Sequence, residues 1–179
     1  MPEPSPRTAS EPMAFTVDEF LVGTVAAWLW FNALFAVVLA VWASVTFSSS
    51  WGPWWAGPGI VLLYGVPVSI VVSGVVTLVV CGAGWGLGRL LRRRTSALLH
   101  VASYALLGAA IGALVVGFAL LLLEPPAGVA SWLGAIILGC SAGALPLGWG
   151  WTVRRSRRTE AGRARAPRPD PDAAFEDAL

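Results

Sequence analysis

The hydrophobic residues of this chain lie in three long runs that contain no charged residue. Residues 20–88 form a run of 69 positions without Asp, Glu, Lys or Arg, and residues 95–123 and 125–153 form two runs of 29 positions each. A helix needs roughly 20 apolar residues to cross about 30 Å of hydrocarbon. Each shorter run therefore predicts one membrane-spanning helix, and the longest run has room for two.

The longest run is divided at residues 48–59, where three serines, three glycines, two prolines and three tryptophans replace the aliphatic pattern. Such a segment is typical of a turn at the membrane interface. The pattern thus predicts four transmembrane helices at about 20–47, 60–87, 97–123 and 129–151. Because an open strand edge would leave backbone groups unpaired in lipid, we expect an all-α membrane protein, a four-helix transmembrane bundle.

The two ends of the chain differ in composition from the predicted spans. Residues 1–15 contain four prolines and little apolar sequence, which predicts a disordered leader. Thr16, followed three residues later by Glu19, predicts a capping box at the start of the first helix. We assign residues 16–153 to the transmembrane domain and residues 154–179 to a disordered tail, in which arginines give way to prolines and carboxylates.

The positions of the basic residues predict the orientation of the bundle. All 12 are arginines, and they lie at Arg7, within residues 89–94 and within residues 154–168. Arginine-rich loops stay on the cytoplasmic side of a membrane. Both termini and the loop between helices two and three are therefore expected to be cytoplasmic. The absence of lysine beside many alanines and glycines indicates a gene of high GC content and favours a bacterial plasma membrane.

Small residues recur every four positions in three of the predicted helices. Lipid gives helices no hydrophobic drive to associate, so such rows predict faces of close helix contact. The rows are Gly65, Ser69, Ser73, Thr77 and Cys81 in helix two, Gly108 and Gly112 in helix three, and Ala135, Gly139 and Gly143 in helix four. The row in helix two is weakly polar, and it fits either ordinary packing or the wall of a polar pathway.

Helices two and four share a second feature that bears on the architecture. Each contains a proline, ends in Gly-Trp-Gly and runs into an arginine cluster. This similarity is typical of two tandem helical hairpins. Common topology explains it equally well, because any helix that leaves on the cytoplasmic side acquires arginines.

The composition leaves few side chains for chemistry, since 12% of the residues are charged and 56% are hydrophobic. Residues 139–143 match the G-x-S-x-G pattern of serine hydrolases, but they lie in a predicted helix and not at a strand-to-helix turn. The one histidine, His100, is predicted at a different membrane depth from Ser141. Cys81 and Cys140 lack the spacing of a zinc site or a disulfide framework. We therefore expect no enzyme, no cofactor and no metal.

These features favour a non-enzymatic accessory, scaffold or envelope-associated subunit that acts through helix and lipid contacts. The alternative is a small oligomeric channel or carrier for a neutral solute or simple ion, with the stripe of helix two along its path. Expected partners are membrane lipids and either a membrane protein or further copies of the chain, with no nucleic acid. The arginines predicted to contact anionic lipid heads are Arg92, Arg93, Arg94, Arg154, Arg155, Arg157 and Arg158.

The orientation is testable with reporter fusions. A phosphatase that is active only outside the plasma membrane should be active when fused after Gly57 and inactive when fused after Arg94, because the arginine loop stays inside. Cellular phosphatase activity per fusion protein is the measurement. The reverse pattern would contradict the orientation.

Overall fold

The computed structural model describes residues 8, 11, 13–46, 53 and 55–165. Its four helices are α1 (Val17–Thr46), α2 (Ala56–Leu91), α3 (Ala97–Leu123) and α4 (Ala127–Arg165). The described residues include no strand. Each helix is long and apolar enough to cross a membrane, which confirms the prediction of an all-α fold with four transmembrane helices.

Large aliphatic side chains cover the outer surface of the bundle. Val79 on α2 and Leu121 on α3, for example, are 78% and 77% exposed. The buried core is small, and its central cluster consists of Phe35, Leu39 and Cys140. A soluble protein would not leave so many contiguous aliphatic side chains in water, whereas the hydrocarbon of a bilayer covers them at no cost. The surface therefore agrees with a multi-pass membrane protein.

The first helix begins with the predicted capping box. The backbone N–H of Glu19 donates to Oγ1 of Thr16 at 3.1 Å, and the N–H of Thr16 donates to Oε2 of Glu19 at 3.2 Å. These reciprocal bonds pair two of the N–H groups that a helix start leaves without partners. The prediction made from the spacing of these two residues is confirmed.

The fourth helix continues from residue 151, where the predicted span ends, to Arg165. Beyond the span, Oγ of Ser156 donates to Oε1 of Glu19 at 2.7 Å and so joins α4 to the first turn of α1. Arginine, a strong helix former, is the most frequent residue in this extension. Residues 166–179 of the predicted tail lie outside the described residues, as do 1–7, 9, 10 and 12 of the predicted leader.

Neighbouring helices run in opposite directions, so the start of one helix lies beside the end of the next. Phe20 at the start of α1 packs against Trp85 near the end of α2, with ring centroids 5.0 Å apart. At the other end of α1, Trp42 stacks on Trp132 of α4 at 3.6 Å. We call the end with Phe20 and Trp85 the arginine end, because the described arginines lie there, and the end with Trp42 and Trp132 the opposite end.

The helices are arranged in the order α2, α1, α4, α3. Extensive contacts join α1 to α2, α1 to α4 and α3 to α4, whereas α2 and α3 scarcely meet. The loop between α2 and α3 spans only Arg92 to Ser96, so these two helices are close at the arginine end. The ring of four helices is therefore open on one side.

Glycine allows the closest helix contact in the bundle. A methyl group at Gly108 of α3 would overlap the carbonyl group of Ser141 on α4, and one at Gly112 would lie 3.1 Å from Cα of Leu138. The predicted glycine pair of α3 thus lies at a backbone-to-backbone contact, which is how small residues stabilise helices in lipid.

The small-residue row predicted in α4 lies mostly elsewhere. Ala135 and Gly139 are exposed, and only Gly143 approaches a neighbour, with its Cβ position 3.5 Å from Leu34 of α1. The contact face of α4 toward α3 runs instead through Leu138 and Ser141. Spacing identifies a row along a helix, but it does not determine how far the helix is rotated about its own axis.

The close contact at Gly108 makes its replacement costly. Gly108→Ala should lower the free energy of unfolding by about 1–3 kcal/mol, because the new methyl group forces two backbones apart. Gly117→Ala, on the same helix with open space around it, is the matched control and should leave the stability unchanged or raise it by up to about 1 kcal/mol. Equal effects of both changes on unfolding in mild detergent would contradict the packing described here.

Candidate functional site

Four polar side chains near the middle of the bundle fasten α2 to α1. Nε1 of Trp28 donates to Oγ of Ser73 at 3.0 Å, and Nδ2 of Asn32 donates to the same oxygen at 3.1 Å. Oγ of Ser69 donates to Oδ1 of Asn32 at 2.8 Å. We call these four residues the polar clasp.

Both polar atoms of the Asn32 side-chain amide have hydrogen-bond partners in the clasp. Besides Ser69 and Ser73, its Nδ2 donates to the carbonyl oxygen of Trp28 at 2.9 Å, one turn earlier in α1. An amide in hydrocarbon has no water to bond, so its partners must come from the protein. Interhelical bonds of this kind contribute about 0.6 kcal/mol each on average, and up to about 1.7 kcal/mol. The hydrogen bonds of the clasp therefore determine which face of α1 packs against α2.

The open side of the bundle forms a cleft of about 850 Å³ between α2 and α3. One wall is a row of valines at four-residue spacing on α2, namely Val68, Val72, Val76 and Val80. The facing wall on α3 includes Tyr104, Ile111, Val115 and Ala119, and side chains of α1 and α4 form the floor. The size and the apolar lining are those of ligand sites in proteins, which typically enclose about 300–1,000 Å³.

The cleft runs through the depth of the membrane-spanning region. Its wall on α3 extends from Tyr104 to Leu123, which corresponds to about 28 Å at 1.5 Å per residue. At the opposite end it is lined by Leu39, Val61 and Leu123, whereas Arg157 and Thr95 lie at the arginine end. The opposite end is therefore apolar, and the arginine end has the guanidinium of Arg157 and the carboxylate of Glu19.

An aromatic cluster supports the arginine end of the cleft. Phe15 and Phe20 each meet the Trp85 ring edge-on, with centroids 5.2 and 5.0 Å apart. Phe15 also lies directly over Gly88, where a Cβ atom would overlap its ring and would lie 3.0 Å from the hydroxyl of Tyr104. Glycine at position 88 thus lets the segment before α1 lie flat against α2.

The segment that precedes α1 is held by polar contacts to the loop between α2 and α3. The backbone N–H of Met13 donates to the carbonyl oxygen of Arg92 at 3.1 Å. The carboxylate of Glu11 lies 3.2 Å from Nε of Arg92 and 3.8 Å from Nε of Arg93. Met13 and Phe15 both line the cleft, so this segment forms part of its wall at the arginine end.

All five residues of the predicted α2 stripe line the cleft. The first three also contact α1: a Cβ atom at Gly65 would lie 2.9 Å from Leu39, and Ser69 and Ser73 belong to the clasp. Further along, Sγ of Cys81 donates back to the carbonyl oxygen of Leu78 at 3.1 Å. The stripe is therefore a contact face toward α1 over its first half and part of the cleft wall over its whole length.

His100 and Ser141 lie in separate surroundings. The His100 ring is buried, its Nδ1 lies 2.9 Å from the carbonyl oxygen of Ser96, and it stacks on Trp149 with centroids 5.2 Å apart. Ser141 instead lies at the contact with Gly112, where a Cβ atom would be 3.2 Å from its Oγ. Within the described part of the chain, no group of three His, Cys, Asp or Glu residues is placed to hold a metal ion.

The arginines predicted to contact lipid heads all lie at the arginine end. Arg92 is partly buried by its contact with Glu11, and Arg157 contributes to the lining of the cleft. Arg157 is itself exposed, as are Arg93, Arg94, Arg154, Arg155 and Arg158. Sequence reasoning did not separate Arg157 from its neighbours, because the difference depends on which side of α4 faces the cleft.

The sequence reasoning missed the role of Trp28 and Asn32. The sequence pattern gives no role to Trp28, whose indole N–H donates to Ser73 of α2 within the membrane-spanning region. The available signal was Asn32 itself, an amide near the middle of an uncharged run. A polar side chain at that depth requires a partner.

No protein-family model, curated protein or solved structure matches this chain. The site is therefore interpreted from its own geometry and chemistry.

The clasp predicts a stability effect for the α2 serines. Ser69→Ala combined with Ser73→Ala should lower the free energy of unfolding by about 1–3 kcal/mol, because it removes the interhelical partners of Trp28 and Asn32. Ser44→Ala combined with Ser131→Ala is the matched control, since both of those hydroxyls are exposed and bond only to their own helix. An unchanged unfolding transition in the Ser69 and Ser73 variant would show that the clasp does not join the helices.

Proposed function

We propose that this protein is a non-enzymatic membrane subunit, an accessory or scaffold component that works by holding another membrane component along the cleft between α2 and α3. The observation that carries the proposal is the cleft itself, an apolar opening of about 850 Å³ on one side of the bundle. A bundle that only had to be stable would gain contact area by closing this gap. An opening flanked by well-packed helices is instead suited to an occupant from the membrane.

The proposal includes a location and an orientation. The protein lies in a plasma membrane, and the arginine end faces the cytoplasm. Support comes from the described arginines, which lie together at one end of the bundle, while the only described charge near the opposite end is Glu124. Cytoplasmic leaflets carry anionic lipids that attract such arginines, at about 1 kcal/mol each.

A channel or carrier has less support than a scaffold. Its path would follow the hydroxyl stripe of α2, but the hydroxyls of Ser69 and Ser73 are engaged by Asn32 and Trp28. The remaining wall of α2 along the cleft consists mainly of valines and has one further hydroxyl, that of Thr77, so it offers little to replace the hydration of an ion. The cleft thus favours an apolar occupant over a polar solute.

The test is to fill the cleft with a larger side chain and to measure which bound polypeptides or lipids the protein no longer retains. Tagged protein is purified at natural expression in mild detergent, and its stoichiometric polypeptides and lipids are identified by mass spectrometry. Val76→Trp places a large ring in the cleft and should remove a stoichiometric component that the parent protein retains. Val75→Trp is the matched control, because Val75 is 58% exposed and does not line the cleft.

The control variant should retain that component in full. Thermal unfolding of both variants in the same detergent establishes that each one is folded. Identical retained components in folded Val76→Trp, folded Val75→Trp and parent protein would contradict the proposed function.

A further inference from the structure

We propose that the cleft binds one anionic phospholipid, with its phosphate at Arg157 and its acyl chains along the valine row of α2. This inference rests on the proposed function, because it names the occupant of the cleft. Three properties of the cleft carry it: its volume, its apolar walls and the difference in charge between its two ends.

The volume favours acyl chains over a transmembrane helix. A helix with its side chains is at least 10 Å across, so a 28 Å length of it occupies roughly 2,000 Å³. The cleft holds about 850 Å³, so a helix would enter it by one face only. Flexible chains have no fixed diameter and can fill a narrow space, and contact with the valine row replaces their contact with other lipids.

The charges at the two ends give the lipid its direction. Arg157 lines the cleft at the arginine end, where the exposed hydroxyl residue Thr95 is also part of the lining. The lining at the opposite end is formed by aliphatic side chains, including Leu39, Val61 and Leu123. A phosphate is therefore stabilised at the arginine end only, where guanidinium groups supply planar pairs of donors.

Two of the three described carboxylates near the arginine end, those of Glu19 and Glu11, are already engaged. Glu19 lines the cleft, but its Oε1 accepts from Ser156 and its Oε2 accepts from the N–H of Thr16. Glu11 lies against Arg92 and Arg93. The described charged side chains at this end are three carboxylates and eight arginines: Glu11, Asp18 and Glu19, with Arg89, Arg92, Arg93, Arg94, Arg154, Arg155, Arg157 and Arg158. The local charge is therefore positive, which favours an anionic head group.

The first experiment measures the charge preference. Full-length protein, delipidated in mild detergent, is titrated with phosphatidylglycerol or with phosphatidylcholine of the same acyl chains, and bound lipid is counted by native mass spectrometry. We expect one phosphatidylglycerol per chain to be retained in preference to phosphatidylcholine. Arg157→Gln should weaken the retention of phosphatidylglycerol about fivefold, the contribution of one arginine near a lipid surface.

The matched control for the head-group site is Arg158→Gln. Arg158 is exposed on the same helix and does not line the cleft, so its replacement should change retention by less than twofold. Equal losses in Arg157→Gln and Arg158→Gln would overturn the assignment of the phosphate to Arg157. Equal retention of the two lipids would overturn the preference for an anionic lipid, because both carry a phosphate and they differ in net charge.

The second experiment uses the cleft-filling variant to separate a bound lipid from the general lipid shell. Val76→Trp should abolish the stoichiometric phosphatidylglycerol, and Val75→Trp should keep it. Equal retention in both folded variants would place the lipid on the outer surface and overturn the proposal.

The outcomes also distinguish this inference from the proposed function. A polypeptide that Val76→Trp removes from the protein purified from its own membrane, with no saturable phosphatidylglycerol in the titration, would overturn the lipid assignment and leave the scaffold function standing. Loss of neither a polypeptide nor a lipid would overturn both.

Discussion

Hydrogen bonding inside the membrane determines where α2 lies. The amide of Asn32 cannot bond to water at that depth, and Ser69 and Ser73 of α2 supply its partners. This draws α2 onto α1, while the glycines at 108 and 112 let α3 approach the backbone of α4. Two helices that are neighbours in sequence, α2 and α3, are therefore held by different partners. The cleft is the consequence of these two attachments.

The functional proposal depends on the shape and charge of the cleft, because the chain has few side chains that could carry out chemistry. Only 12% of its residues are charged, and those in the described part lie at the ends of the helices. An apolar groove about 28 Å long with a guanidinium at one end suits a component of the membrane itself. The segment around Phe15 completes the wall at the arginine end, and the extension of α4 brings Arg157 to the same end. Segments beyond the membrane-spanning helices and the helices themselves thus contribute to one site.

The parts of the fold that depend on local physics followed from the sequence. Uncharged runs predict spanning helices because lipid forces the backbone to bond internally, and Thr16 and Glu19 predict a capping box because three residues separate them. The site depends on the rotation of each helix about its own axis, which local spacing does not contain. For this reason only the first half of the α2 stripe contacts α1, Gly139 of α4 is exposed, and the bond between Trp28 and Ser73 was not foreseen. The length of α4 was missed because an arginine-rich helix beyond the span gives no hydropathy signal.

The central claim is that α2 and α3 stand apart in the middle of the membrane. The most direct measurement is a set of electron spin resonance distances in lipid nanodiscs, with labels on cysteines introduced at Tyr64, Leu114 and Gly139 after Cys81 and Cys140 are replaced by alanine. These three positions are exposed. They lie at similar depth, because Gly65 meets Leu39, Leu39 packs with Cys140, and Gly112 meets Leu138. The account predicts a longer mean distance between the labels at 64 and 114 than between those at 114 and 139. Equal distances would mean that α2 packs on α3 as closely as α4 does, and would contradict the cleft.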